Sequence, residues 1–197
     1  MDRFSRLWVA LIASLITFSA SAYDSLVQKQ VFEMPSYTTV GGKTIKQVKV
    51  GYETYGKLNE KGDNAIMVCH FFSGSSHAAG KYKDTDAAPG YWDSIIGSGK
   101  PIDTDKFFVI CSNVIGGCMG SLGPKEINPQ TNLPFGNSFP FLTIHDMVRA
   151  QKALIDSLDI SSLRMVIGGS MGGMQAMSWA IQYPDMVQSC VPVASTS

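Results

Sequence analysis

LRMVIGGSMGGMQAMSWAIQY, residues 163–183, is the stretch around which the rest of the chain is organised. Leu163, Met165, Val166 and Ile167 form a short, mostly apolar run closed by a glycine pair, the pattern of a strand buried on both faces. Beyond it Met171, Met174, Met177, Trp179 and Ile181, with Ala176 and Ala180 between them, predict a mostly apolar helix able to pack on a sheet. At the junction lies Gly168-Gly169-Ser170-Met171-Gly172, a G-x-S-x-G sequence placed where a nucleophile elbow needs it. A serine raised on so sharp a turn adopts strained backbone angles, and the residues two before and two after it must lack a Cβ for strand and helix to approach. Gly168 and Gly172 meet that need. The helix then opens at the serine, so its unpaired N–H groups and positive dipole end face any oxyanion formed there. On this reading Ser170 Oγ attacks and the Met171 N–H holds the oxyanion. A plain glycine-rich turn is the simpler alternative. A phosphate-cradling loop is a third, but no lysine follows the glycines and the spacing is not G-x-G-x-x-G.

Working outward, residues 26–32 and 44–55 mix apolar and polar positions at strand spacing, with a turn signal at Val40-Gly41-Gly42-Lys43. They predict antiparallel strands at a sheet edge. Residues 65–72, AIMVCHFF, read as the first strand buried on both sides, followed by the small-residue loop 73–80. In an open parallel sheet ligands bind beyond the carboxyl ends of the strands, so this loop should face Ser170 and its Phe72 N–H is the candidate second oxyanion donor. An ordinary flexible connector is the competing reading. Residues 92–96 predict a short helix and 106–111, KFFVIC, another buried strand. The glycine-rich run 113–124 and a long loop to Pro140 follow, and loops of that length inside a compact domain are usually functional. Residues 143–158 form the clearest helix: Ile144, Met147, Val148, Gln151, Leu154, Ile155 and Leu158 share a face, and Thr143 with Asp146 gives a capping-box variant. His145 on that helix reads as a solvated or satisfied scaffold residue. Residues 188–194 predict a further parallel strand, although Pro192 is unusual within one.

The chain of 197 residues is 45% hydrophobic and 16% charged, enough for one sizeable core. Sixteen basic residues balance sixteen acidic ones, which leaves no electrostatic footprint for nucleic acid or anionic lipid. Arg3 and Arg6 precede an uncharged run to Phe18 and then Ser19-Ala20-Ser21-Ala22, the pattern of a secretory signal peptide cleaved before Tyr23. The expected organisation is therefore a signal peptide over 1–22 and one domain over 23–197, exported to the periplasm or secreted. No stable membrane span is expected after cleavage, the apolar run being short of the roughly 20 residues a span needs. Cys69, Cys111, Cys118 and Cys190 form no C-x-x-C pair, and no histidine or carboxylate cluster has metal-ligand spacing, so no metal is expected. Export permits a disulfide; small apolar packing is the other reading for Cys69, Cys111 and Cys190.

Strands alternating with helices from Ala65 onward, preceded by two edge strands and centred on an elbow, predict the α/β-hydrolase fold, a mostly parallel sheet with antiparallel N-terminal edge strands. More specifically, the chain resembles the homoserine O-acetyltransferase family. The likeness rests on Asn113-Val114-Ile115-Gly116-Gly117-Cys118 with the following Gly-x-x-Gly-Pro, on Asp146-Met147-Val148-Arg149-Ala150-Gln151, and on Gly168-Gly169-Ser170-Met171-Gly172-Gly173-Met174-Gln175-Ala176. It implies an acyl-enzyme on Ser170, with acetyl-CoA as acyl donor, a small hydroxyl compound as acceptor and no bound cofactor; a homodimer is compatible with it. In the family a histidine is the base and an aspartate orients it, in the order Ser, Asp, His.

The sequence departs from that pattern. Asp185 is the one acidic residue after Ser170 and no histidine follows it; His70, His77 and His145 all precede it. His77, in the loop expected to face the site, is the one candidate substitute. A serine without a base is a weak nucleophile, so the chain reads as the N-terminal part of such an enzyme, ending after the strand that follows the elbow helix. The family's His-Ala-Leu-Thr-Gly is also replaced by His70-Phe71-Phe72-Ser73-Gly74, whose phenylalanines would reshape an acyl pocket. Three readings follow: acyl transfer to an amino-acid hydroxyl, ester hydrolysis with water as acceptor, and a catalytically incomplete fragment. Export favours the second, since acetyl-CoA is a cytosolic metabolite.

Overall fold

The computed structural model describes residues 26–196; the signal-peptide reading of 1–22 lies outside them. In chain order the elements are β1 (Gln30–Thr38), β2 (Thr44–Tyr55), β3 (Ala65–Cys69), β4 (Ile96–Gly97), β5 (Ile102–Asp103), β6 (Phe108–Ser112), β7 (Ile127–Asn128), β8 (Leu133–Pro134), a 3₁₀ turn (Gly136–Ser138), α1 (Ile144–Ser157), β9 (Leu163–Gly169), α2 (Met171–Gln182) and β10 (Cys190–Val193). Six strands make the main sheet in the order β1-β2-β6-β3-β9-β10. The β1–β2 and β2–β6 pairs are antiparallel; β6–β3, β3–β9 and β9–β10 are parallel. This is the predicted fold class, a mostly parallel sheet with antiparallel strands at its N-terminal edge.

The period-two alternation of β3 explains why the sheet is covered on both sides. Ala65, Met67 and Cys69 face a core with Ile110, Val166, Leu154, Ile155 and Trp179. Ile66 and Val68 face a second core with Tyr55, Ala78, Ala79, Ile96 and Val109. Helices α1 and α2 cover the first face. The loops between β3 and β6 cover the second, and there residues 92–96 make a single turn into β4 instead of the expected short helix: the Ile95 and Ile96 N–H groups both donate to the Trp92 carbonyl. β1 starts four residues later than the pattern suggested, because its pairing extends to Thr38↔Thr44 around the Gly41-Gly42 turn. Pro192 is accommodated on β10, the outermost parallel strand among the described residues, where a missing N–H costs the ladder little.

Helix α1 begins as predicted. Thr143 accepts from the Asp146 N–H and the Asp146 carboxylate accepts from the Thr143 N–H at 2.9 Å, closing a capping box. The same carboxylate, fully buried, also accepts from the Val40 N–H (2.7 Å) and the Tyr37 hydroxyl (2.9 Å), so it ties the β1–β2 hairpin to the helix. Burial pushes its pKa up, but the bonds from Thr143, Val40 and Tyr37 outweigh that and hold it below the ordinary aspartate value. His145 is exposed, as expected of a scaffold residue.

Candidate active site

Ser170 joins the last residue of β9 to the first of α2 with φ 54° and ψ −122°, a left-handed conformation that a residue with a Cβ adopts only under strain. The flanking glycines explain how the junction closes. A Cβ on Gly168 would lie 2.7 Å from the Cys69 carbonyl oxygen and nearer still to that of Gly172. A Cβ on Gly172 would lie 2.8 Å from the Cys69 carbonyl carbon and 3.0 Å from the His70 carbonyl oxygen, with the Cys69 oxygen closer again. Backbone therefore touches backbone where β3, β9 and α2 meet, and any side chain would force them apart. β10 braces the turn from the other side, its Val193 carbonyl accepting the Ser170 N–H (3.0 Å) and the Ser195 hydroxyl donating to the Ser170 carbonyl (2.8 Å).

The Ser170 residue is exposed to solvent, and its neighbour Met171 lines a cavity of about 790 Å³. Phe72 lines the same cavity from the end of β3, so the two segments proposed from sequence to carry the amide donors meet at one concavity. Among the described residues neither the Phe72 N–H nor the Met171 N–H has an acceptor in the protein. The remaining wall is largely apolar, including Val114, Ile115, Phe139, Phe141, Leu142 and Met147. Phe71 turns away and packs edge-on against Tyr91 at 5.1 Å, so of the phenylalanine pair it is Phe72, 84% exposed, that shapes the cavity.

His70 and His77 are occupied elsewhere, and His145 is exposed on α1. His70 is buried in the cavity floor: its Nε2 accepts from the Val114 N–H at 3.2 Å, which leaves the proton on Nδ1 to donate to the Phe71 carbonyl at 2.7 Å. Burial lowers its pKa, against a smaller opposing effect of the Phe71 bond, so the ring is neutral at pH 7. His77, the candidate substitute base, contacts Glu53 Oε2 through Nδ1 at 2.9 Å and stacks on Tyr82 at 4.1 Å. It does not line the cavity, and no hydrogen bond joins the Ser170 hydroxyl to any of the three histidines.

Two features around the site are not readable from local pattern. Glu53 is fully buried and accepts from the hydroxyls of Ser76 (2.8 Å), Tyr82 (2.8 Å) and Tyr55 (3.1 Å) as well as meeting His77, which anchors the loop after β3. Asn113 accepts from the Ser76 N–H (2.7 Å) and donates to the Met119 carbonyl (2.8 Å), tying the two loops that wall the cavity. The one advance signal was polarity out of place: a glutamate within a β-branched and aromatic strand, and an asparagine closing a buried one. All four cysteines are free thiols. Burial raises the pKa of Cys69 well above its ordinary value and that of Cys111 to about 12, consistent with inert packing residues.

A family model described as the alpha/beta hydrolase fold matches residues 64–197. The chain belongs to this family. Within the alpha/beta hydrolases it is similar to the homoserine O-acetyltransferase of Solidesulfovibrio magneticus, 55% identical over 175 residues, covering 87% of this chain and 44% of that protein. Among solved structures, esterase E22 is 54% identical with a TM-score of 0.83, covering 86% of this chain and 48% of that one. Homoserine O-acetyltransferase from Bacillus anthracis is 42% identical with a TM-score of 0.84, covering 87% and 47%. The chain thus spans about half the length of the relatives it matches. Among the described residues no group of histidine, cysteine and carboxylate side chains is arranged to hold a metal, and no helix is long and apolar enough to cross a membrane.

Proposed function

We propose that this protein is a serine acyl-transfer enzyme that carries an acyl group on Ser170 and passes it to the hydroxyl of a small acceptor, acetyl-CoA being the donor and a hydroxy amino acid such as homoserine the acceptor. The observation that carries the reading is Ser170 at φ 54°, exposed at the strand-to-helix turn beside a cavity reached by both Phe72 and Met171. Attack by Ser170 Oγ on the acyl carbon would push charge onto the carbonyl oxygen. Two amide N–H groups without protein partners, one from each side of the cavity mouth, would receive it, reinforced by the α2 N-terminus. The proton of Oγ needs a base, and His70 and His77 already use ring nitrogens on Val114, Phe71 and Glu53. The base and its orienting carboxylate would come from the half of the relatives' length that this chain does not span. The half-length match to the homoserine O-acetyltransferases supports this division.

A second reading, ester hydrolysis with water as acceptor, is supported by the 54% identity to esterase E22 and by the apolar wall that Phe72 helps to form. Export directed by residues 1–22, which we also propose, fits this reading better, because an exported enzyme would rarely meet acetyl-CoA. In the enzyme that carries the downstream base, labelling by a fluorophosphonate and cleavage of a short p-nitrophenyl ester, both lost in Ser170→Ala, test the acyl-enzyme. Retained turnover in that variant refutes it. Release of CoA from acetyl-CoA dependent on added homoserine selects transfer; acceptor-independent ester cleavage without CoA release selects hydrolysis.

A further inference from the structure

We propose that Gln175 is a positioning residue for the oxyanion site, its carboxamide fixing the span between the Phe72 and Met171 amides. The inference rests on the acyl-transfer reading above for its catalytic consequence, but its structural content is independent of it.

Gln175 is fully buried on the second turn of α2, on a face it shares with Gly172, Gly173, Ala176, Ser178 and Trp179. Its Nε2 donates to the His70 carbonyl at 3.2 Å and to the Met171 carbonyl at 3.4 Å. Its Oε1 accepts from Gln151 Nε2 at 2.8 Å, and Gln151 Oε1 accepts from Trp179 Nε1 at 2.7 Å. This relay has one possible direction. The indole N–H only donates and the backbone carbonyls only accept, so each amide between them has its oxygen toward Trp179 and its NH₂ toward the site. Both hydrogens of the Gln175 NH₂ are thereby committed, one to each of the segments proposed to bear an oxyanion donor. Met171 supplies one donor from its own N–H, and His70 lies two residues before the other.

The packing shows why a directional link matters here. At Gly168 and Gly172 the backbones of β3, β9 and α2 touch with no side chain between them, and the Gln175 amide adds a directional link between His70 and the first turn of α2 to that non-directional contact. The His70 ring passes the restraint on, since Nδ1–H holds the Phe71 carbonyl and Nε2 holds the Val114 N–H of the opposite wall. An apolar residue of equal volume would fill the space, but it would leave the His70 carbonyl free to shift. Oxyanion donors tolerate little displacement.

The test compares the enzyme carrying its downstream base with its Gln175→Met and Gln175→Glu variants and with Leu154→Ala, a buried substitution in the same core that removes no bond of the relay. Gln175→Glu keeps the acceptor for Gln151 and, in either protonation state, gives up at least one of the two bonds to His70 and Met171. Hydrogen exchange is read at the Gly74 and Val114 amides, which bond the Phe71 carbonyl and the His70 ring. Loss of one hydrogen bond's worth of local restraint corresponds to exchange faster by about tenfold relative to β9 amides, expected in both Gln175 variants and absent in Leu154→Ala. In ester turnover kcat should fall by about tenfold or more with KM changed less than about threefold, as befits a contact felt mainly in the transition state. Wild-type exchange at Gly74 and Val114 in either folded Gln175 variant overturns the proposal, as does an equal loss of kcat in Leu154→Ala. If instead Ser170→Ala leaves turnover unchanged, the acyl-enzyme reading fails, while the exchange rates still decide whether Gln175 holds the segment.

Discussion

Gly172→Ala is the sharpest perturbation the geometry offers, because two opposed effects act on one methyl group. Gly172 lies in the first turn of α2, where helix propensity alone would favour alanine by about 1 kcal/mol. Against that, the new Cβ would lie 2.8 Å from the Cys69 carbonyl carbon, roughly 0.6 Å short of the 3.4 Å at which ordinary contact begins, and the Cys69 oxygen is nearer still. The obstruction is backbone, so no rotamer change relieves it; α2 must move away from β3. Overpacking of this kind costs about 1–3 kcal/mol or more, and with both neighbours rigid the upper end applies. The net expectation is destabilisation of about 2 kcal/mol. The movement also separates Met171 from Phe72, and displacements near 1 Å at a reacting centre cost about a hundredfold in rate. Urea denaturation gives the first quantity and the fluorophosphonate labelling rate at Ser170 the second. A variant within about 0.5 kcal/mol of the parent, the range of a neutral surface change, and labelled at the parent rate would refute the claim that backbone contact fixes the elbow.

Three further outcomes follow from the same geometry. Ser170→Gly should be more stable than the parent by about 1 kcal/mol, since glycine accepts φ 54° without strain, while fluorophosphonate labelling disappears; thermal melting and labelling read the two effects. Asp146 has its folded pKa depressed, so its contribution is present above the unfolded-state value near ~4 and is lost as pH falls through the folded one. Urea titrations from neutral pH downward should therefore show the stability gap between parent and Asp146→Asn closing under acid; a gap that stays constant would contradict the assignment. Glu53→Met should destabilise by about 3 kcal/mol, because the buried hydroxyls of Ser76 and Tyr55 and the half-buried His77 ring lose their carboxylate partner at about 1–3 kcal/mol apiece, partly offset because Tyr55 keeps its bond to the Ser76 carbonyl. A near-neutral chemical denaturation curve would count against the anchoring role of that carboxylate.

The elbow helix shows how far pattern reading reaches. Its existence and start were legible from the glycine pair and the apolar run, yet its buried face is Gly172, Gly173, Gln175, Ala176, Ser178 and Trp179, whereas Ile181 is 74% exposed. Hydropathy had pointed to Trp179 and Ala176, which are buried, but also to the methionines and Ile181, which lie off the buried face. Close approach to the sheet selects small residues, and a scale of side-chain apolarity is blind to that. β3 likewise stops at Cys69 instead of Phe72, because the chain must leave the sheet there to curve over the cavity.

What the amino-acid order determined by itself was whatever depends on neighbours a few positions apart: the unbroken apolar runs of the buried strands, the Thr143–Asp146 cap, and the glycines spaced two either side of Ser170. What the tertiary structure alone decided was partnership across distance. His70 and Gln175 lie 105 positions apart and meet through a 3.2 Å bond; His77 was drawn to Glu53, 24 positions earlier, and away from the serine. Local steric and periodic rules act through the chain, but a buried polar group takes whichever partner the packed fold brings within hydrogen-bond reach, and that is fixed only once the sheet and helices have closed around it.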